Sequence, residues 1–92
     1  MIKSFRHKGL KKLFENGDRK GVPQDLAPRI LRMLDVLDAA KDINDLNLPG
    51  FDLHELKGDR KGTWAIKVNK NWRITFRFVN GDAYDVDLED YH

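Results

Sequence analysis

Two histidines, His54 and His92, and two fixed cations, Lys57 and Arg73, fit together as a chemical set in this chain of 92 residues. Imidazole has an unperturbed pKa of ~6.5, so it gives and takes protons near neutral pH. Metal-free cleavage of RNA needs such a set. A base takes the 2′-OH proton as that oxygen attacks the adjacent phosphorus. An acid protonates the leaving 5′-oxygen, and cations meet the charge building on the phosphorane. General acid and base each supply ~10²–10⁴-fold, and a preorganised donor aimed at developing charge supplies ~2.7–4 kcal/mol. His54 and His92 suit the proton roles, Lys57 and Arg73 the electrostatic one. Tyr91 can orient a base or stack on it. The closing run Glu89-Asp90-Tyr91-His92 keeps an alternating strand pattern where a terminus with no task usually frays.

The bland alternatives weigh against each member singly. His7 reads as an ordinary hydrogen-bonded surface histidine, and His54 alone would read the same way. Trp64 and Trp72 fall on apolar strand faces and read as core. Lys57, Arg60 and Lys61 would by themselves be a solvated loop. The combination carries the reading. Other chemistries fare worse. No glycine-rich loop ends in Gly-Lys-Ser/Thr, Ser4 is the only serine, and there is no cysteine. Three scattered histidines lack metal-ligand spacing, so neither a metal nor a cofactor is expected.

Ninety-two residues predict one domain over 1–92 with a modest core. The missing cysteines exclude a disulfide framework. No apolar run approaches a membrane span, and the first residues lack the apolar core of a signal peptide. The expectation is a soluble, cytoplasmic protein without membrane contact. The net charge of +2 hides blocks. Residues 1–24 hold seven Lys/Arg against two Asp/Glu, and 57–77 hold seven against one. Residues 25–56 and 78–92 are acidic. Most acidic residues read as solvated salt-bridging faces, whereas the 57–77 block reads as a site for a polyanion.

These groups need elements to position them. Met1–Phe5 is β-compatible. Leu10, Leu13 and Phe14 form an i, i+3, i+4 stripe that predicts a helix ended by Asn16-Gly17. Its opposite face, Lys8, Lys11 and Lys12, is free to meet phosphates, though a merely solvated face accounts for it nearly as well. Pro23–Ala40 predicts a longer helix burying Leu26, Ile30, Met33, Leu34 and Leu37, with Arg29, Arg32, Asp35 and Asp38 mostly outside. After a polar stretch and a Pro49-Gly50 turn, Phe51–His54 alternates as a short strand. Three further strands, around Trp64–Val68, Trp72–Phe78 and Tyr84–Glu89, each show one apolar and one polar face, as in an antiparallel sheet covered on one side. The pentapeptide Gly-Asp-Arg-Lys-Gly occurs at both 17–21 and 58–62. Its flanks differ, so it signals shared turn chemistry and not a repeat.

The pattern also predicts register. A two-residue Asn80-Gly81 turn would put Phe76 opposite Asp85. A three-residue loop through Asp82 puts Phe78 opposite Tyr84, Arg77 opposite Asp85, Phe76 opposite Val86, Ile74 opposite Leu88 and Arg73 opposite Glu89. A loop at Asn69-Lys70-Asn71 sets Lys67 opposite Arg73. Like charges facing each other cost stability. A basic pair held there predicts an anionic ligand and adds Lys67 to the RNA contacts. It also predicts that removing Arg73 costs activity and leaves stability level or higher.

The stretches His54-Glu-Leu-Lys57-Gly-Asp-Arg-Lys-Gly-Thr-Trp64, Val68-Asn-Lys-Asn-Trp-Arg73-Ile-Thr-Phe76 and Glu89-Asp-Tyr-His92 resemble HigB toxins of the RelE/ParE superfamily, and the likeness spans the chain. The resemblance implies an α+β fold, two N-terminal helices packed on a twisted antiparallel sheet. It implies a type II toxin–antitoxin toxin that enters the ribosomal A site of the 30S subunit and cuts translated mRNA. Carried over by position, it implies a catalytic core of His54, Asp90, Tyr91 and His92, with Lys57, Asn71 and Arg73 as RNA contacts. RelE itself lacks this histidine pair, so the acid and base roles stay unassigned between the two. The resemblance further implies a HigA-like helix-turn-helix antitoxin, with operator DNA bound only through the complex. A ParE-like inhibitor of DNA gyrase is the alternative on the same fold, and a gyrase binder has no need of His54 or the Tyr91-His92 ending.

Overall fold

The computed structural model describes residues 1–90. Helix α1 spans Lys8–Asn16 and buries Gly9, Leu10 and Leu13. The His7 ring caps its start, Nδ1 accepting from the Leu10 N–H at 3.1 Å. Gly17 ends it at φ 71°, its N–H on the Leu13 carbonyl, a conformation glycine adopts without a Cβ penalty. Gly58, the first glycine of the second pentapeptide, sits at φ 72°, so the shared sequence does share turn chemistry. Gly21 does something else. A Cβ on Gly9 would overlap the Gly21 carbonyl, and one on Gly21 would lie 2.6 Å from the Gly9 Cα. The returning chain therefore packs directly on the α1 backbone.

The second helix begins later than its apolar pattern suggests. Gln24–Leu26 is a 3₁₀ turn and α2 spans Ala27–Ala39. Pro28 lies in the first turn, where its missing N–H and fixed φ are tolerated. Helix α2 buries Ala27, Ile30, Met33, Leu34 and Leu37. Arg29 is not simply outward, because its Nε donates to the Val68 carbonyl at 2.7 Å and ties the helix to the sheet.

Strands β1 (His54–Glu55), β2 (Thr63–Lys67), β3 (Trp72–Val79) and β4 (Asp82–Asp90) form an antiparallel sheet in that order. The first strand is shorter and later than the Phe51–His54 pattern implies, because Gly50 at φ 85° and Asp52 at φ 49° break the extended path. Ile2 and Phe5 bridge in parallel to Ala83 and Val86, covering the outer edge of β4. One face of the sheet gives Ile66, Ile74, Phe76, Val86 and Leu88 to a core shared with the apolar stripes of both helices. Each such side chain contributes ~1.5–3 kcal/mol when fully buried. The architecture is α+β.

The β3–β4 register corrects the sequence-based one at its turn end. Asn80 at φ 51° and Gly81 at φ 82° form a two-residue turn, pairing Val79 with Asp82, Phe78 with Ala83 and Arg77 with Tyr84. Left-handed angles at both positions match the twist of a hairpin. The register then shifts between Thr75 and Arg77, where Asp85 sits at φ 54°. This bulge adds a residue to β4, so Phe76 and Val86 are both fully buried. Phe78 is thus not opposite Tyr84, nor Arg77 opposite Asp85. Beyond the bulge the expected pairs hold, Ile74 with Leu88 and Arg73 with Glu89, as does Lys67 with Arg73 on the other side.

Candidate active site

Cross-strand partners share a face, so the register assembles the site on the polar side of the sheet. One row runs His54, Ala65, Thr75 and Asp87. The next runs Lys67, Arg73 and Glu89. His54 and Arg73 are therefore two strand spacings and one side-chain repeat apart, about 12 Å between Cα atoms.

The centre of this face is the Glu89 carboxylate. Arg60 grips it with both terminal guanidinium nitrogens, Nη1 and Nη2, at 3.0 and 2.5 Å. Arg73 donates at 3.1 Å and the Thr75 hydroxyl at 2.8 Å. The Arg60 hydrogen bonds, with help from Thr75 and Arg73, hold the carboxyl at about 2, well below its ordinary 4.5, despite partial burial that opposes the shift. Glu89 in turn raises the pKa of Arg60. Arg60 is thus no solvated loop residue. The 3₁₀ turn Gly58–Arg60 carries it across the sheet, and Thr75 is only 2% exposed. The counter-charge beside the Lys67/Arg73 pair is internal: the Glu89 expected to relieve their repulsion in part is in direct contact with Arg73, and Arg60 shares it.

His54 lies exposed on the edge strand. Its Nδ1 is 2.8 Å from the Asp52 carbonyl. A carbonyl only accepts, so Nδ1 carries the hydrogen and Nε2 holds the lone pair of the neutral ring. The left-handed Asp52 aims that carbonyl back at the ring. Lys57 is exposed three residues on, at the entry of the Gly58–Arg60 turn. Asn71 is half-buried in the β2–β3 turn, its N–H donating to Asn69 Oδ1 at 2.9 Å. That turn lies at the Lys67/Arg73 end of the sheet, where β4 reaches Asp90 opposite Trp72. The pairing puts Asp90 on the face opposite Glu89. Tyr91 and His92 lie outside the described residues. Lys8, Lys11 and Lys12 are exposed on α1. Among the described residues no group of His, Asp or Glu side chains is arranged to hold a metal ion.

Sequence reasoning missed Arg60, Thr75 and Glu89 as site residues. Glu89 carried a signal, since its register partner is Arg73. Thr75 alternates with Arg73 and Arg77 on the polar face. Arg60 carried none, because a loop residue's reach across a sheet has no periodicity.

The model of the family described as RelE-like toxin of type II toxin-antitoxin system HigB matches residues 3–92. The chain belongs to this family of HigB-like toxins. It is 56% identical to Endoribonuclease HigB of Proteus vulgaris over 92 residues, covering 100% of both chains. It is 34% identical to Toxin HigB-1 of Vibrio cholerae serotype O1, covering 97% of this toxin and 96% of that one. In fold it is similar to the YoeB–YefM complex chain from Staphylococcus aureus, with a TM-score of 0.59, 15% identity and coverage of 100% and 95%. It is likewise similar to YafQ from E. coli, with a TM-score of 0.56, 16% identity and coverage of 98% and 91%. These matches give the gyrase-binding alternative no support. A toxin of such a system has an antitoxin as its partner. Among the described residues no helix is long and apolar enough to cross a membrane.

Proposed function

We propose that this toxin is an endoribonuclease that cuts mRNA in the ribosomal A site by metal-free 2′-OH attack, and so stops translation and growth. Family membership and full-length likeness to a protein named an endoribonuclease support the nuclease reading. The observation that carries the mechanism is the pinned ring of His54 on the same sheet face as Arg73. Nδ1–H donates to the Asp52 carbonyl whether the ring is neutral or charged. Proton exchange is therefore confined to Nε2, as either the base or the acid of the reaction requires. His92 supplies the other proton role, with Tyr91 and Asp90 beside it in sequence. Arg73, oriented by Glu89, and Lys57, Lys67 and Asn71 meet the phosphates.

The same reading makes residues 1–92 one toxin domain acting in the cytoplasm without cofactor or membrane contact. Its partners are the 30S A site, mRNA and a HigA-like helix-turn-helix antitoxin, and operator DNA is met only through the antitoxin complex. Lys8, Lys11 and Lys12 dock on ribosomal RNA. The test is cleavage of a defined message on programmed ribosomes by wild type, His54→Ala and His92→Ala. Wild type should cut, and both variants should lose at least ~10²-fold while keeping the wild-type circular dichroism and thermal midpoint. Full cleavage by either folded variant refutes the acid–base pair.

A further inference from the structure

A second basic feature lies on the polar face beside the Glu89 cluster, sharing Arg60 and Thr75 with it. A cleft of about 210 Å³ is walled by Arg6, Arg60 and Arg77, by Thr63 and Thr75, and by Asp59 and Asp85. The fold builds it from three places. The N-terminal edge beside β4 brings Arg6, and the Gly58–Arg60 turn brings Asp59 and Arg60. The bulge in β4 displaces Asp85 from Arg77, so this pair does not close across the strands. Arg6 and Arg77 are exposed, and among the described residues neither makes a hydrogen bond or ion pair through its guanidinium. Arg60 is different, its charge already met by Glu89. Within its lining the Thr63–Arg77 pair lies two residues along the strands from the His54–Ala65–Thr75 row. That displacement is about 7 Å, a step of roughly one to two nucleotides.

We propose that this cleft is a subsite for a backbone phosphate of the RNA next to the scissile one, gripped by Arg6 and Arg77. The inference rests on the ribonuclease reading above and deepens it. Guanidinium is the side chain whose planar fork matches phosphate oxygens bidentately. Two such groups without partners, in one cleft one row from a pinned histidine, are set for a neighbouring phosphodiester. Asp59 and Asp85 keep the cleft from being a general anion trap. With their charges present the site holds a phosphate only when the rest of the strand delivers it. The subsite therefore measures the strand's position and does no proton chemistry.

The experiment measures how cleavage of a programmed-ribosome message depends on toxin concentration, for wild type, Arg6→Ala, Arg77→Ala and Asp85→Asn. Each arginine variant should raise the half-saturating concentration about 10-fold at an unchanged saturated rate. Each should also lower the salt slope of binding by about one. Asp85→Asn should lower the half-saturating concentration a few-fold, and asparagine tolerates the left-handed backbone there. Messages with one phosphate at a time replaced by a neutral methylphosphonate locate the contact. At one position beside the cut, wild type should lose affinity and Arg77→Ala should lose nothing more. A wild type that cuts no ribosome-bound message refutes the nuclease function and takes the subsite with it. A wild type that cuts, with arginine variants of unchanged concentration dependence, refutes the subsite alone. Weakening by Asp85→Asn also overturns it, because the carboxylate would then be accepting hydrogen bonds from a base. Losses additive at every methylphosphonate position overturn it as well.

Discussion

Glu89→Gln removes the charge on which the polar face converges, and its cost can be worked from the structure. The folded carboxyl titrates at about 2 against an ordinary 4.5. Taken at face value that shift is worth about 3 kcal/mol. Solvent still reaches 21% of the Glu89 side chain and 39% of Arg60, so screening reduces the figure to ~1–2 kcal/mol. For a chain of this size that is a fall in thermal midpoint of ~5–15 °C at pH 7. The sign with pH follows from the depressed pKa. The stabilisation is fully present above about 4.5 and is lost as pH falls toward 2. Wild type and Glu89→Gln should therefore differ at pH 7, differ by less than half as much at pH 3, and converge only as pH approaches 2. Urea unfolding of both proteins at pH 7, 5, 4 and 3 checks this. A difference that stays constant across that range, or is absent at pH 7, refutes the ionic account of Glu89.

Arg73→Ala should cost cleavage ~10²-fold or more, the scale of a lost transition-state donor. Its midpoint should fall by a few degrees and not rise, since one of three donors to Glu89 is gone, and scanning calorimetry on the assayed sample separates the two effects. Arg73→Lys should restore little cleavage, because a point charge cannot reproduce a bidentate grip. Gly9→Ala should destabilise by ~1–3 kcal/mol through overlap with the Gly21 backbone, outweighing the ~1 kcal/mol that alanine gains in a helix. A raised melting temperature would show that the 18–21 segment yields. Reversing Lys8, Lys11 and Lys12 to glutamate should weaken ribosome binding and flatten its salt dependence without changing the saturated cleavage rate. Unchanged binding would leave them a solvated face.

Strand alternation was enough to place Arg73, Lys67 and Glu89 on one face, because burial of one side fixes register to the residue. It failed at the β4 bulge. There Asn80-Gly81 satisfied its own turn preference first, and Asp85 absorbed the mismatch in a left-handed conformation that no alternation pattern contains. The helices were legible from their apolar stripes. The start of α2 was not, since Pro23 and Pro28 both suit a first turn. At the site, His54 was legible as a residue type, but the carbonyl of Asp52 that fixes its tautomer was not. Arg60 looked like one charge among several in a loop. Its role depends on a side chain crossing the sheet to Glu89, 29 residues away in sequence.

The most direct test of the central claim is the chemistry of the cut itself. A message with a single 2′-deoxy nucleotide at the cleaved position is loaded on programmed ribosomes, and its all-ribose counterpart is run beside it. If the 2′-oxygen is the nucleophile, the all-ribose message yields a 2′,3′-cyclic or 3′-phosphate and a 5′-hydroxyl, and the deoxy message stays intact at that position. Cleavage of the deoxy message, or 5′-phosphate products from either, would show that water attacks instead and that the two histidines do not act as proposed.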